Sequence, residues 1–564
     1  MSHMKLSNPL SLIFSALFTV SSISSAVEEF YGTREPFAEE AIYFAMTDRF
    51  VDGDPGNNHE DQGGEFPTFD QKLIGPEGQE ANVGYQGGDL KGVLDSADYL
   101  WDLGFTAVWL TPVMDNPDEH FSGGEPIEYG GSFKDGGKTG YHGYWINNFF
   151  VEDEHYVSEG LDFEAYARKM KEKGFKIVFD IVTNHGSPSF TMPEDQPKFG
   201  ELYDRDGNLV ADHQNLPPED LDPNNPLHAF FRTEKDIAEL SNMNDENPDV
   251  MNYFLDAYLE WIDKGADVFR IDTIKHVPHR FWKIFTDEIR KKHPGFYMFG
   301  ESFNYDANFL AQHTLEKNGA VSVLDFPCRE KMIQVFGKQT ETEDGEVVEK
   351  GYEVFESYLH LTHGPYQNPY ELVTFYDNHD MTRIDADTNG FIDANNWLFT
   401  TRGIPCVYYG SEIGFMAGKA EHEGNRNFFG SKRVEEAKAH EIYRALRTIA
   451  NARKNYPALQ RGLQLNEKLE GDEAVFYRVL QEKGFTQTVL VMLNKSDQKS
   501  KITAENFLQS GNWIEVLDGE ETSVKKSGRL VADVPAHGVR IWVNHDPITD
   551  EALLKELRLL MAYK

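Results

Sequence analysis

Three carboxylic acids each lie at the end of a short apolar run of the sequence, or shortly after it: Asp272, Glu301 and Asp380. A single acidic residue at a strand end often caps the next helix, so one of them alone would be a poor signal. Three of them, each with an Arg, a His or a Gly nearby, are difficult to attribute to coincidence. Two carboxyl groups about 5–5.5 Å apart hydrolyse a glycosidic bond with retention of configuration, one as nucleophile and one as proton donor. These residues therefore predict glycoside hydrolysis.

The neighbours of the three carboxylates indicate how their roles are divided. Arg270 precedes Asp272 by two positions. Side chains two apart on a strand share a face, so the guanidinium would keep Asp272 ionised, as a nucleophile must be. Glu301 follows an apolar run, and hydrophobic walls would raise its pKa, as an acid/base requires. Asp380, next to His379, would hold sugar hydroxyls and favour the distorted ring of the transition state.

These residues need a scaffold that brings several strand ends together. Eight short, nearly continuous apolar runs recur along the chain: Ala41–Met46, Thr106–Leu110, Lys176–Val182, Asp267–Ile271, Phe296–Phe299, Val321–Phe326, Leu372–Tyr376 and Cys406–Tyr409. Segments with helical periodicity lie between them, such as Phe163–Lys173, Val250–Lys264, His279–Lys292 and Trp397–Thr401. Such apolar runs are typical of parallel strands buried on both faces. The alternation predicts an α/β fold, a (β/α)8 barrel, with catalytic groups at the C-terminal ends of the strands.

Long segments interrupt the alternation. Residues 186–245, after the third strand, are rich in Pro, Asn and Asp. This predicts an inserted domain, because loops of such length are usually functional or form small domains. The second strand-to-helix loop, Pro112–Gly140, is also long, and the acidic stretch Lys338–Lys350 is expected to be a solvated surface loop. The barrel is accordingly assigned to residues 27–185 and 246–456.

The pattern changes after Tyr456. Strand-like runs without intervening helices predict a small antiparallel β domain over residues 457–545: Ala474–Leu480, Thr488–Asn494, Trp513–Val516 and Gly538–Val543. Residues 546–564 carry leucines at helical spacing, and Thr549 is a candidate cap. A packing helix is favoured there over a membrane anchor.

The chain is strongly acidic. Its 564 residues include 54 Lys plus Arg against 94 Asp plus Glu, a formal net charge of −40. Such a surface repels phosphate backbones and anionic lipids, which excludes nucleic acid as a partner. An acidic surface of this kind can still bind neutral polar ligands and metal cations. For most of this charge, a solvated coat that keeps the protein soluble is the simpler interpretation.

Residues 1–26 are typical of a secretory signal peptide. Lys5 precedes the apolar run Leu10–Val20, and small residues follow as far as Ala26. The run is too short and too rich in serine to span a bilayer, no cysteine follows it for lipid attachment, and the first three residues are interpreted as a cloning remnant. A frayed amphipathic terminus is the alternative. We expect an exported protein, periplasmic or secreted, that begins near Val27.

Cys328 and Cys406 are the only cysteines. Two thiols exclude a disulfide framework, although they could pair if their Cα atoms came within bonding reach. Both lie beside strand-like runs, so buried free thiols are expected.

Four strand-end segments, taken together, resemble the signature regions of the α-amylase family, glycoside hydrolase family 13: Asp180–His185, Arg270–His276, Gly300–Ser302 and Asn378–Asp380. The resemblance extends over the barrel, the inserted domain and the C-terminal β domain. The general likeness is to α-amylases and cyclodextrin glycosyltransferases. It implies that Asp272 is the nucleophile, Glu301 the acid/base and Asp380 the transition-state stabiliser.

The resemblance and the position of Arg270 together give a set of substrate-binding residues: His142, Tyr144, His185, Arg270, Lys275, His276, His379 and Arg426. By resemblance the first three and His379 line the cleavage subsite, where Tyr144 stacks on the sugar, and Lys275 and His276 line the acceptor side. Arg426 corresponds to a donor-side arginine, although the residues before it depart from the family's Asp-Pro context. Without the neighbouring carboxylates, a single histidine at a strand end would be interpreted as a structural residue. Trp145 is as compatible with a place in the core as with a sugar subsite.

A second group of polar residues follows the first strand, in the loop Asp52–Asn58. Asp and Asn side chains on a glycine-containing backbone offer the hard oxygen ligands that Ca²⁺ takes, although such loops are also common as plain turns. The loop resembles the N-terminal calcium loop of cyclodextrin glycosyltransferases. That resemblance implies six ligands: Asp52, Asp54, Asn57, Asn58, Gly87 and Asp89.

The resemblance suggests a further calcium ion between the inserted domain and the barrel. Its ligands would include Asn184 and the carbonyl of His276. Glu239 stands where the family has an aspartate, and Asp220 is a competing candidate.

The function expected from this sequence is an exported, monomeric, retaining α-glucan hydrolase that cleaves α-1,4 bonds of starch or maltodextrins, without nucleic-acid partner or membrane anchor. One alternative is a transglycosylase or cyclomaltodextrinase of the same family. Lys235 falls near the position where cyclising members carry a central aromatic residue, which disfavours cyclisation but not other transfer. Specificity for α-1,6 bonds is a second alternative. A non-catalytic carbohydrate-binding relative is the most remote, because this chain keeps all three carboxylates.

Overall fold

Eight parallel strands form the predicted barrel: Ile42–Ala45, Ala107–Leu110, Lys176–Ile181, Val268–Ile271, Tyr297–Gly300, Ser322–Val323, Val373–Thr374 and Ile404–Tyr408. The first six are hydrogen-bonded in chain order, and the eighth pairs with both the first and the seventh. One parallel bridge, between Leu324 and Val373, joins the sixth strand to the seventh and completes the ring. Every residue of these strands except Lys176 is buried, which explains why the runs are apolar on both faces.

The computed structural model describes residues 28–64, 67–131, 134–338 and 350–563. The predicted signal peptide, the predicted start near Val27 and most of the acidic stretch Lys338–Lys350 lie outside the described residues. Within the described ranges, no helix is both long and apolar enough to cross a membrane. Cys328 and Cys406 are buried free thiols, which confirms that expectation.

Helices follow the barrel strands: Thr47–Phe50, Leu90–Asp95, Ala97–Leu103, Phe163–Glu172, Pro248–Lys264, His279–Lys292, Ala307–Thr314, Phe326–Phe336, Thr388–Thr400, Gly430–Ala437, Glu441–Asn455 and Pro457–Arg461. Side-chain caps begin several of them; Asp162 and Asn247, for example, each accept a hydrogen bond from a backbone N–H of the first turn. The helix predicted at Trp397–Thr401 is only the end of Thr388–Thr400. Its earlier part escaped prediction because its buried face carries polar residues such as Asp393.

The inserted domain takes strands from two loops of the barrel. Its four-stranded sheet contains Met114–Asp115 and Asn148–Glu152 from the second loop, and Glu201–Tyr203 and Leu209–Asp212 from the third. His185–Pro188 also pairs with Leu240–Asn242, and a separate pair, Lys72–Ile74 with Glu80–Asn82, lies in the loop after the first barrel strand. The sheet therefore includes residues of the second loop that the sequence-based boundary of 186–245 had left in the barrel.

The C-terminal domain is antiparallel, as predicted. Its six-stranded sheet has the order Leu463–Glu470, Glu473–Glu482, Phe485–Asn494, Gly538–Asn544, Gly511–Glu515 and Glu521–Val524, and Ser500–Ala504 pairs with Leu530–Val534. The final helix, Glu551–Ala562, buries Leu553, Leu557 and Leu560 in the core of this domain. Its cap is Asp550 rather than Thr549, because the Asp550 carboxylate accepts a hydrogen bond from the Leu553 N–H at 2.9 Å.

Candidate active site

One guanidinium lies at the centre of the predicted catalytic cluster. Nη1 of Arg270 is 2.8 Å from Oδ1 of Asp180 and 2.9 Å from Oδ1 of Asp272, and Nη2 is 3.5 Å from Oε2 of Glu301. All four side chains are buried. Arg270 faces Asp180 in register on the neighbouring strand, which fixes their contact. The guanidinium therefore sets a permanent positive charge beside Asp272 and orients it next to Glu301.

Asp180 is a member of this cluster to which the sequence analysis gave no role. Its Oδ2 accepts hydrogen bonds from Trp109 Nε1 at 2.9 Å and from the Tyr144 hydroxyl at 2.8 Å. A signal for it was present, because Asp180 is the one charged residue in the buried part of the third strand, and a buried charge needs partners. Asp180 thus holds both Arg270 and Tyr144 in place.

Glu301 lies in surroundings suited to an acid/base. Its side chain is buried, and Oε2 accepts a hydrogen bond from the Thr273 N–H at 3.0 Å. Burial raises the pKa of Glu301 to about 8; the charge of Arg270 opposes this, and the charges of Asp272 and Asp380 add to it. Glu301 is therefore protonated near neutral pH, beside a carboxylate held by an arginine.

Asp380 is held from the other side of the site. Oδ1 is 2.8 Å from Arg426 Nη2, and Oδ2 is 3.1 Å from His379 Nε2. The side chain of Asp380 is 32% exposed. The loss of surrounding water within the site still raises its pKa to about 6, with Arg426 lowering it and Glu421 raising it. Arg426 is thus in contact with a catalytic candidate. Its Nη1 is 2.7 Å from Glu421, which lies 3.6 Å from Lys138, and neither of these partners was predicted.

Three histidines and Tyr144 surround the carboxylates. The ring of Tyr144 lies parallel to that of His379 with centroids 5.3 Å apart, and His142 is 5.8 Å away. His185 Nε2 is 3.9 Å from Oδ2 of Asp272. Burial lowers the pKa of all three histidines, so their rings are neutral. In the described chain, one nitrogen of each ring is buried without a hydrogen-bond partner.

The remaining predicted residues lie at the edge of this cluster or outside it. Lys275 is exposed, and its Nζ donates to the Phe303 carbonyl at 2.8 Å. The partly exposed His276 has Nδ1 3.1 Å from Oδ1 of Asp236. Trp145 packs into a small apolar cluster of the inserted domain, so it is a core residue.

The predicted N-terminal calcium loop comes together around Asp89. Its Oδ2 accepts a hydrogen bond from the Asp54 N–H at 2.9 Å. Gly87 lies so close that a Cβ there would be 2.5 Å from Oδ1 of Asn58. Three side-chain oxygens are buried without a hydrogen-bond partner among the described residues: Oδ1 of Asp52, Asn57 and Asn58. Converging oxygens that lack donors fit a Ca²⁺ ion.

The second predicted calcium site is arranged differently from its prediction. Asn184 and His276 do lie together, but the acidic residue beside them is Asp236. Its Oδ2 accepts from Asn184 Nδ2 at 3.0 Å, and Oδ1 lies 3.1 Å from His276 Nδ1. Asp236 thus occupies the place that the sequence analysis gave to Glu239.

Glu239 and Asp220 both lie apart from this place. Oε1 of Glu239 is 3.6 Å from Lys235 Nζ, and Asp220 is exposed. The backbone has a positive φ of 43° at Ala238. This turn separates the side chain of Glu239 from that of Asp236, which spacing alone could not predict.

Residues 44–458 match the family model of the alpha amylase catalytic domain. The chain belongs to the α-amylase family. A cyclomaltodextrin glucanotransferase of Geobacillus stearothermophilus is 29% identical over 560 residues, which cover 94% of this chain and 71% of that protein. The crystal structure of an Anoxybacillus alpha-amylase is 25% identical and covers 91% of this chain and 99% of its own, with a TM-score of 0.66. That of a cyclomaltodextrin glucanotransferase with a three-domain ABC distribution is 29% identical, covers 90% and 99%, and has a TM-score of 0.69.

Membership of the α-amylase family makes the protein a glycosidase-type enzyme. The relatives include enzymes named as amylases and enzymes named as glucanotransferases. The chemistry common to both is cleavage of a glucosidic bond, which uses a pair of carboxyl groups. Asp272 and Glu301 are two buried carboxyl groups that face the same Arg270 guanidinium.

Proposed function

We propose that this protein is a retaining α-glucan hydrolase that cleaves α-1,4 bonds of starch or maltodextrins. One observation carries the proposal: the Arg270 guanidinium contacts Asp272 and lies close to Glu301, whose pKa burial raises to about 8. An ionised nucleophile and a neutral acid within one buried site are what double displacement requires.

The chain's own groups account for both steps. In the first, an oxygen of Asp272 attacks the anomeric carbon, the glycosidic C–O bond breaks, and Glu301 gives its proton to the leaving oxygen. In the second, water attacks the same carbon, Glu301 takes a proton from it, and Asp272 leaves as a carboxylate. Asp380, held by Arg426, accepts hydrogen bonds from hydroxyls of the distorted ring.

Transfer to a sugar acceptor is the second candidate, because several relatives are named as cyclomaltodextrin glucanotransferases. Lys235, near the position of the cyclising enzymes' aromatic residue, disfavours the cyclising form of transfer. Its side chain is 54% exposed, and its Nζ is 3.6 Å from Glu239 and 5.6 Å from the Phe190 ring centroid. An ammonium group on an aliphatic side chain offers no flat surface around which a glucan chain could fold back on itself.

Calcium forms part of the proposal. The loop Asp52–Asn58 together with Gly87 and Asp89 would hold one ion. The unpartnered oxygens of Asp52, Asn57 and Asn58 support three of these ligands, whereas both carboxylate oxygens of Asp89 already accept hydrogen bonds from backbone N–H groups. The ion would cross-link the loop that follows the first barrel strand and would not be a reacting group.

The experiment that tests the function is product analysis on maltoheptaose, cyclodextrins and pullulan. Linear products, released first as the α-anomer and not formed from pullulan, are expected. Asp272→Asn should lower kcat by roughly a thousandfold or more. The matched control is Asp256→Asn on the exposed face of the helix Pro248–Lys264. Cyclic products would favour transfer, pullulan cleavage would favour α-1,6 specificity, and near-normal activity of Asp272→Asn would contradict the mechanism.

We also propose that the protein is exported, on the signal-peptide pattern of residues 1–26. N-terminal sequencing of protein recovered outside the cytoplasm should begin near Val27. Recovery of the chain with that segment still attached would contradict cleavage.

A further inference from the structure

A second arginine lies at the junction between the inserted domain and the barrel. Nη2 of Arg232 is 2.8 Å from Oδ1 of Asp245 and 3.4 Å from the His276 carbonyl oxygen. Nη1 is 3.5 Å from Oδ1 of Asn184 and 3.7 Å from Oδ2 of Asp236. One guanidinium therefore reaches four oxygens that come from both sides of the junction.

This is the place where the sequence predicted a calcium ion. Two of the expected ligands, Asn184 and the His276 carbonyl, point their oxygens at the Arg232 guanidinium. The acidic residue expected as a third ligand, Glu239, faces Lys235 instead. A planar cation with five N–H donors and a fixed positive charge occupies the space and repels a second cation. The residues present therefore do not fit calcium while Arg232 stays in place.

We propose that Arg232 takes the place of an interdomain cation, so that this junction binds no calcium. The backbone supports the assignment, because the Arg232 N–H donates to the Asn242 carbonyl at 2.8 Å, and Asn242 is in register with His185 on the neighbouring strand. The Asp245 carboxylate is bonded to Arg280 as well, at 3.0 Å. Arg232 is thus a positioning residue. It holds the inserted domain against the strand ends that carry His185 and Asp272.

The substitution of a guanidinium for an ion has a consequence that can be measured. Removing the Arg232 side chain leaves the carboxylates of Asp236 and Asp245 beside the oxygens of Asn184 and His276. Two carboxylates, an amide oxygen and a carbonyl oxygen are ligands that Ca²⁺ takes. Arg232→Ala should therefore convert the junction into a calcium site.

The test counts calcium and follows thermal unfolding, and it uses no turnover, so its outcome is independent of whether the enzyme hydrolyses or transfers. Bound calcium is measured by elemental analysis after equilibration with calcium and removal of free ion. The variants are Arg232→Ala, Asp236→Asn and the two combined. The matched control is Arg205→Ala, an exposed arginine of the inserted domain that pairs with Glu260.

We expect Asp236→Asn to leave the calcium content of the wild-type background unchanged. Arg232→Ala should bind one ion more than wild type, and the double variant should lose it again. In a chelator the Tm of Arg232→Ala should fall about 2–4 °C below that of wild type, because partly buried carboxylates lose their counter-charge, and calcium should restore it. Arg205→Ala should change neither quantity.

Three outcomes would overturn the proposal. Wild-type protein that loses one calcium ion on Asp236→Asn would show that the ion displaces the guanidinium. An Arg232→Ala protein whose calcium content does not rise, or whose Tm loss calcium does not reverse, would show that the arginine is not equivalent to an ion. If Arg232→Ala does not fold with or without calcium, the calcium contents of wild type and Asp236→Asn still show whether the junction binds an ion.

Discussion

Replacing Asp272 by Asn should lower the pKa of Glu301. Asn has the shape of Asp without its charge, so the change removes one of the two negative charges that raise this pKa. The same loss of charge accompanies formation of the glycosyl ester on Asp272. The variant therefore imitates the state in which Glu301 must accept a proton from water instead of donating one.

The size of the effect follows from the shared guanidinium. Nη1 of Arg270 is 2.9 Å from Asp272 and Nη2 is 3.5 Å from Glu301, so the two carboxyl groups face one guanidinium. Two unit charges at the roughly 5.5 Å typical of a retaining pair, with an effective dielectric constant near 20, interact by roughly 3 kcal/mol. Arg270 offsets part of this, which leaves a fall of about one to two units in the pKa of Glu301.

Infrared difference spectroscopy on protein with ¹³C-labelled glutamate can follow the Glu301 carboxylic acid band. The Glu301→Gln versions of wild type and of Asp272→Asn are the matched controls that identify it. The midpoint should lie near pH 8 in wild type and clearly lower in the variant. An equal or higher midpoint in Asp272→Asn would refute the electrostatic account and leave burial as the whole cause.

Three further predictions concern other parts of the molecule. Asp180→Asn should lower kcat/KM on maltoheptaose roughly ten- to a hundredfold, because Arg270 loses a buried charged partner; unchanged kinetics with an unchanged circular dichroism spectrum would contradict its role. Hydrogen bonds to Asp393 and Asp497 raise the pKa of His537 to about 9, while burial raises that of Asp393 to about 6, so the stability of this pair is greatest near pH 6.5 and is lost as the pH rises through about 9. The Tm should fall over this range in wild type, and an equal fall in His537→Gln would count against it. EDTA should lower the Tm, since an ion present at a hundred times its Kd stabilises the native state by about 2.7 kcal/mol, and Asp52→Ala should show no such effect.

The eight barrel strands could be predicted because strands buried on both faces are apolar at nearly every position. The sixth and seventh strands, Ser322–Val323 and Val373–Thr374, are shorter than predicted. Only one bridge, between Leu324 and Val373, joins these two strands in the described chain, so the hydrogen-bonded part of each strand is shorter than its apolar run. The mixed origin of the inserted domain's sheet escaped prediction, because nothing in either loop's composition indicates that their strands pair.

At the site, the three carboxylates could be located because a barrel gathers its strand ends into one place. Their charge partners were harder to foresee. Asp180 and Arg270 are 90 residues apart, and Glu421 reaches Arg426 through a loop of irregular structure. Such pairs depend on barrel register and loop shape, neither of which leaves a periodic signal. The same holds for Arg232, which belongs to a segment that composition alone marks as an insertion.

The buried arginine of the C-terminal sheet limits how this protein can be divided. Nη1 of Arg478 donates to the carbonyls of Thr400 and Thr401, at 2.8 and 2.7 Å, at the end of the helix that precedes the eighth barrel strand. Those carbonyls have no further turn of their own helix to bond to. A shortened protein that stops at Tyr456 would expose them and remove the cover from the barrel. The boundary visible in the amino-acid pattern is therefore not a line along which the catalytic unit can be excised. Gene fusions and domain exchanges with this enzyme should therefore keep the barrel and the C-terminal sheet together as one unit.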